Sequence, residues 1–204
     1  MVEANLKSKR WFDITILVLA HLLLLPFWLI LWIFIPIFIW LEDRGPVFFK
    51  QIRIGYKGTN FEAIKFRSMY LDSEDQGLIT SDADQRITKV GNILRRTALD
   101  ELPQIINIFR GDMSFVGPRA LPPEMHEESC EIISAFAKRL WVLPGLTGVA
   151  QIYLPRHAHP RRRLAYDLIY LKRRNVFIDM KLMLLAAVNT LTGRWGTGHR
   201  KSGF

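Results

Sequence analysis

The chain has 204 residues, half of them hydrophobic and 23% charged. That is enough for one domain with a real core, too short for two large ones, and too apolar for a disordered chain. Lys and Arg number 28 against 19 Asp and Glu, a formal net charge of +9, which suits nucleic acid, an anionic membrane surface or phosphate-bearing substrates. A single cysteine, Cys130, excludes an internal disulfide and any multi-cysteine zinc site.

The chain divides early. Ile14 to Leu41 carries no charged residue, a run of about 28 residues where about 20 span a bilayer. It is too long for a signal peptide, and no small-residue cleavage site follows it. Pro26 sits near its middle and Pro36 adds a second expected break, because proline removes a helical hydrogen bond and crowds the preceding turn. Lys7, Lys9 and Arg10 precede the run, and Arg44, Lys50, Arg53 and Lys57 follow it. Basic flanks favour the cytoplasmic side, so both ends ask to be inside. Two arrangements fit: a spanning helix with a mild kink, and a helix bent at Pro26 that enters and leaves by one face.

The remainder, 45–204, reads as a mixed domain. Val47 to Ile52 and Phe61 to Met69 are strand-like and flank the turn Gly55 to Asn60, a hairpin pattern. Ile64 and Phe66 alternate with Lys65 and Arg67, giving one apolar and one basic face. Leu71 to Gln85 is polar and predicts an exposed loop. Helices are predicted over Ile87 to Arg96 and Leu102 to Phe109, with Gly111-Asp112 stopping the second. Met113 to Val116 is a short extended piece. Pro122 to Leu140 predicts one helix, acidic early and basic late. Pro144-Gly145 and Gly148 mark a loop, and Leu164 to Lys172 and Ile178 to Leu191 predict the last helices. The last of these suits a core or a membrane interface.

Chemistry concentrates between Arg95 and Arg119. Asp100 and Glu101 stand at the start of an apolar-periodic helix, with Pro103 close behind. Backbone N–H groups there lower a carboxylate's pKa and attract phosphate. An ionised Asp can be a nucleophile, and a divalent cation can join it to a phosphate; Thr, Asp and Glu at this place are equally ordinary helix caps. Gly111 and Gly117 bracket a short apolar run that delivers Arg119, whose guanidinium can grip phosphate bidentately. Lys65 and Arg67 supply further positive charge. His157 and His159, before Arg161, Arg162 and Arg163, suit a basic loop facing phosphate or membrane better than a metal site. Cys130 reads as structural.

Together these segments resemble the bacterial sugar transferases, small monotopic phosphoglycosyl transferases. The resemblance is carried by the hydrophobic N-terminal segment, Gly45-Pro46-Val47-Phe48-Phe49-Lys50-Gln51, Lys65-Phe66-Arg67-Ser68-Met69 and Arg86-Ile87-Thr88-Lys89-Val90-Gly91. It continues through Leu94 to Gln104, Arg110 to Arg119 and Pro144-Gly145-Leu146-Thr147-Gly148. It implies a mostly helical α/β fold with a small β-hairpin, an N-terminal re-entrant membrane helix broken at Pro26 within residues 1–44, and a cytoplasmic interfacial catalytic domain over 45–204. It also implies a two-step reaction on the cytoplasmic face of the bacterial inner membrane. Asp100 attacks a nucleoside (uridine) diphosphate sugar, and polyprenyl (undecaprenyl) phosphate then takes the phosphosugar. Glu101 matches the partner carboxylate, and Lys65, Arg95 and Arg119 match phosphate-binding positions. Magnesium (Mg2+), held at Asp100 and Glu101, is the implied cofactor. The implied partners are a nucleotide sugar, polyprenyl phosphate and membrane lipids, and a homodimer is compatible. The chain departs from the common pattern at Leu25, where a serine precedes the breaking proline, at Leu143, where an arginine precedes Pro-Gly, and at Val149, where a tryptophan follows Gly148.

Two other functions compete. One is a membrane-anchored scaffold in which Asp100 and Glu101 only cap a helix. The other is a nucleic-acid binder, which no recognised motif supports, since the aromatic residues lie mostly in apolar runs. Release of nucleoside monophosphate from a nucleotide sugar separates the enzyme from both.

Overall fold

In the computed structural model, residues 2–71, 73, 84–155, 157–193 and 195 are described. The apolar run forms the end of helix α1 (Val2–Leu23) and most of helix α2 (Leu25–Asp43). The break falls at Leu24, with φ −113° and ψ 23°, and Pro26 lies in the first turn of α2. Proline is tolerated there because its missing N–H lacks an intrahelical partner anyway. Trp28 fastens the bend: its indole N–H donates to the Ala20 carbonyl at 3.0 Å, and its ring stacks on His21 at 4.8 Å. Pro36 does not make the expected second break, since α2 runs through it to Asp43. By length and composition α2 could cross a membrane. Around the bend Leu22 and Leu23 are 70% and 78% exposed, and Phe27, Leu29, Ile30 and Ile33 are also exposed.

Both ends of this bent unit are tied to the same body. At the base of α1, Lys9 Nζ lies 2.6 Å from Asp179 Oδ2, and the Arg10 guanidinium donates to the carbonyls of Ile108 and Phe109. Asp13, fully buried, accepts from the Phe115 N–H at 3.4 Å. At the end of α2, Ile35 and Ile39 pack with Phe66, Leu94 and Leu102. Beyond them Glu42 accepts from the N–H groups of Lys89 and Val90, and Asp43 pairs with Arg67.

The predicted hairpin is present. Strands β1 (Phe48–Ile54) and β2 (Asn60–Phe66) pair antiparallel, with Phe49 opposite Lys65, Gln51 opposite Ala63 and Arg53 opposite Phe61. Side chains directly opposite share a face, so Arg53 and Lys65 lie on one side of the ribbon. The polar loop expected after it lies largely outside the described residues. Helix α3 (Lys89–Thr97), capped by the Thr88 hydroxyl, follows. A 3-10 turn (Leu99–Gln104) leads into the short helix α4 (Ile105–Arg110).

Strand β3 (Ser114–Val116) pairs in parallel with β4 (Gly145–Thr147), where the sequence suggested only a loop. The predicted single helix over Pro122 to Leu140 is two pieces, α5 (Pro123–Ile132) and a 3-10 helix (Ser134–Trp141). Ile133 between them is extended, φ −146° and ψ 103°, and Phe136 beyond it is fully buried with Leu121 and Leu164. Helix α6 (Val149–Tyr153) was not expected; α7 (Pro160–Arg173) and α8 (Val176–Thr192) were, though longer. Val116, Val149, Ile152, Tyr170 and Leu182 form a core joining β3, α6, α7 and α8. The Tyr170 hydroxyl lies within hydrogen-bonding distance of Asp179 Oδ1 and the Val116 carbonyl, and Arg139 pairs with Asp167 at 2.9 Å. Buried polar groups need such partners, which accounts for Asp167, Tyr170 and Asp179.

Candidate active site

Helix α3 ends at Ala98, whose φ of 56° and ψ of 20° are left-handed. For a residue with a Cβ this costs about 1–2 kcal/mol. The reversal starts the 3-10 turn and places Asp100 and Glu101 in its first residues, facing the hairpin. Pro103 closes the turn inside the core. Asn107 in α4, fully buried, ties this region to β2: its amide donates to the Glu62 carbonyl at 2.8 Å, and its oxygen accepts from the Ile64 N–H at 3.1 Å.

Arg119 arrives from the other side. Gly111, φ 96°, reverses the chain after α4. From there β3 runs beside β4 so closely that a Cβ on Gly145 would stand 2.0 Å from the Gly117 nitrogen, and one on Gly117 would stand 2.3 Å from the Leu143 carbonyl. Only glycine allows this approach. It lets the Gly145 N–H reach the Pro118 carbonyl at 2.9 Å, immediately before Arg119.

The side chains converge on Glu101. Lys65 Nζ stands 2.7 Å from its Oε1, and Arg119 reaches both carboxylate oxygens, at 2.5 Å and 3.4 Å. Burial pushes Glu101 up, but Arg119 and Lys65 outweigh it and hold the carboxyl well below its usual range. Burial lowers Lys65, and Glu101 restores part of that. Asp100 is half-buried and stands outside the ion pair. Burial, helped by the like charge of Glu101, pushes its carboxyl above the ordinary value, and Lys65, then Arg95 and Arg119, pull back less. The expected lowering is found at Glu101, but its cause is the paired Arg119 and Lys65 rather than the helix start, and at Asp100 desolvation wins.

Of the predicted site residues, Asp100, Glu101, Lys65 and Arg119 come together, and Arg95, in the last turn of α3, is near enough to act on Asp100. Arg67 does not join them. Its guanidinium is consumed by Asp43 and the Pro46 carbonyl, so the basic strand face is split between the site and the base of α2. The sequence missed Arg53 and Gln104, which with Lys65, Glu101, Arg119 and Gly145 line a small cavity. The signal for Arg53 was the hairpin register, which aligns it with Lys65. His157 and His159 are exposed, and His159 Nδ1 accepts the Arg161 N–H, capping α7. Among the described residues no three His, Cys, Asp or Glu are placed to hold a metal. The Cys130 thiol is pushed up by burial and lies 3.4 Å from His126 Nε2, in keeping with a structural role.

This constellation sits in a chain whose residues 4–193 match the sequence profile described as bacterial sugar transferase. The chain belongs to that family. Among its relatives is the undecaprenyl-phosphate glucose phosphotransferase of Komagataeibacter xylinus, 37% identical over 202 residues, covering 94% of this chain and 37% of that protein. The UDP-glucose:undecaprenyl-phosphate glucose-1-phosphate transferase of Escherichia coli K12 is 38% identical over 187 residues, covering 89% of this chain and 39% of that protein. The exopolysaccharide production protein PSS of Rhizobium leguminosarum bv. phaseoli is 38% identical over 198 residues, covering 92% and 97%. This sugar transferase chain thus spans under two fifths of the first two relatives and nearly all of the third. One departure from the family pattern has a structural place: Val149 is 1% exposed in the core with Val116 and Leu182.

Proposed function

We propose that the chain transfers a phosphosugar from a UDP-sugar to a polyprenyl phosphate such as undecaprenyl phosphate, through a covalent intermediate on Asp100. The observation that carries this is the division of labour in the acidic pair. Glu101 is neutralised by Lys65 and Arg119, and Asp100 stands beside it outside the pair. A carboxylate oxygen of Asp100 attacks the β-phosphorus, and the bond to the nucleoside monophosphate breaks, leaving an acyl phosphate. A phosphate oxygen of the lipid then attacks that phosphorus. The bond to Asp100 breaks, returning the carboxylate and releasing a polyprenyl diphosphate sugar. Arg119 supplies a bidentate fork and Lys65 a point charge to the phosphates, with Arg95 beside Asp100. Magnesium keeps several waters and binds through one or two carboxylates plus substrate phosphates. Asp100 offers such a carboxylate outside the ion pair, and Glu101 would join it by exchanging Lys65 or Arg119 for the ion, which would neutralise phosphate charge there.

The donor and acceptor types are those for which relatives are named, among them the UDP-N-acetylgalactosamine-undecaprenyl-phosphate N-acetylgalactosaminephosphotransferase of Aeromonas hydrophila. We also place the bent unit as re-entrant in the cytoplasmic leaflet. The leg from Ile14 to Leu23 is about 15 Å long, roughly half a hydrocarbon core, and both bases are bonded to one body. Helix α8 adds an exposed apolar stripe, Phe177, Met180, Leu184, Val188 and Leu191, which a membrane surface would cover. A scaffold reading needs none of the paired charges at Glu101.

The test uses the full chain in phospholipid nanodiscs with Mg2+ and a panel of UDP-sugars. Wild type should release uridine monophosphate and, without acceptor, gain the mass of one phosphosugar. Asp100→Asn should do neither and still fold, because the amide keeps the shape but cannot form the acyl phosphate. Turnover by Asp100→Asn at the wild-type rate would sink the assignment.

A further inference from the structure

Arg53 lines the cavity with Lys65 and Arg119 but does not pair with Glu101. Its guanidinium donates to the Ala120 carbonyl at 2.7 Å and to Gln51 Oε1 at 2.6 Å, and its buried Nε–H has no partner. The next residue, Ile54, donates its N–H to the Leu121 carbonyl at 2.9 Å. The end of β1 therefore holds the two carbonyls that follow Arg119, and β4 holds the carbonyl that precedes it through the Gly145 N–H.

Holding Ala120 in this way is expensive. Burial, then the like charge of Arg119, drags the Arg53 pKa down to about 10. A neutral donor would carry no such cost. A guanidinium also brings charge: Arg53, Lys65 and Arg119 outnumber Glu101 and Asp100 even with both carboxylates ionised. Like-charge crowding becomes favourable only when an anion arrives.

We propose that Arg53 is a positioning residue, which clamps the Ala120 carbonyl so that Arg119 presents its fork to Glu101 and to the incoming diphosphate. This rests on the transferase reading above. If Arg53 acts through Arg119, removing it matters only while Arg119 is present.

A double-mutant cycle decides it, read as uridine monophosphate release from UDP-glucose by the full chain in nanodiscs. Where turnover is below detection, calorimetric binding of UDP gives the same cycle. Arg53→Gln should lower kcat/KM about ten-fold, at an unchanged melting midpoint, and less than about two-fold in the Arg119→Ala background. Arg53→Lys keeps the charge but lacks the fork, so it should restore part of the loss. It carries the cycle if the Gln variant does not fold. Equal losses in both backgrounds, or no loss in either, would overturn the positioning role while leaving the transferase reading intact. A wild type that neither binds UDP nor turns over any UDP-sugar would overturn both.

Discussion

Two adjacent carboxyls respond to the same pocket in opposite directions, because cations pair with one and not with its neighbour. Glu101 is depressed by Arg119 and Lys65, so it contributes stability that is fully present above its unfolded pKa of about 4.3 and lost as pH falls toward the lower folded value. Glu101→Gln should therefore flatten the acid limb of a melting-midpoint profile below about pH 4, and should reduce turnover by leaving Lys65 and Arg119 without their shared partner. Asp100 has the reverse sign. Its folded form holds the proton more tightly than the unfolded chain, so ionisation costs stability as pH rises through the raised value. Asp100→Asn should then melt at or above the wild-type temperature at pH 7 while being inactive, a trade of stability for chemistry. A melting midpoint several degrees below wild type would contradict the burial account of its shift. The Asp-Glu pair was legible through the resemblance carried by Leu94 to Gln104, since its place at a helix start alone reads equally as a cap. Its internal asymmetry was not, since it depends on Lys65 from β2 and Arg119 from the loop after β3.

Among the elements, local pattern predicted local structure and failed where long-range contact decides. Strand-like runs on either side of the Gly55 to Asn60 turn predicted the hairpin, and the helices expected over Ile87 to Arg96, Leu164 to Lys172 and Ile178 to Leu191 are present as α3, α7 and α8. The parallel β3–β4 pair was invisible because each strand is three residues long and its partner is about thirty residues away. Its glycines read as turn punctuation, but they serve close approach. The same limit hid the use of Arg67 by Asp43, which joins the end of α2 to the end of the hairpin. Gly145→Ala tests the close approach. The added carbon would stand 2.0 Å from the Gly117 nitrogen and 2.4 Å from the Thr147 carbonyl, both backbone atoms that cannot swing away. The strands must separate, and such overpacking costs about 1–3 kcal/mol. Chemical denaturation should show a loss of that size, with turnover falling further because Pro118, gripped by the Gly145 N–H, precedes Arg119. An alanine variant with wild-type stability and activity would show that the approach is not required.

The molecule as a whole joins a bent apolar unit to the charged cluster around Glu101, and the proposed re-entrant placement rests on where the two bases are bonded. Lys9 meets Asp179 in the first turn of α8, and Glu42 caps α3. A straight helix through the bilayer would carry these bases to opposite surfaces and break one set of contacts. It would also place Lys7, Lys9 and Arg10 outside, against the charge bias. Burying Ile35 and Ile39 against Phe66 and Leu94 opposes that further. Single cysteines at Lys7→Cys and Lys57→Cys, each in a Cys130→Ser background, should both resist a membrane-impermeant thiol reagent in intact cells. Both should react once the inner membrane is opened. Labelling of the Lys7→Cys position alone in intact cells would demonstrate a true span and defeat the re-entrant placement. Pro26→Ala adds a graded version of the same test. It restores the helical N–H that the proline lacks, and so favours continuity between α1 and α2 over the bend that Trp28 and His21 close. Straightening pulls on the Lys9–Asp179 and Asp13–Phe115 contacts, the second of which reaches β3 and hence the strand that delivers Arg119. Turnover with the lipid acceptor should fall several-fold in Pro26→Ala, with formation of the phosphosugar adduct from UDP-sugar less affected, because only the second substrate has to be met at membrane height.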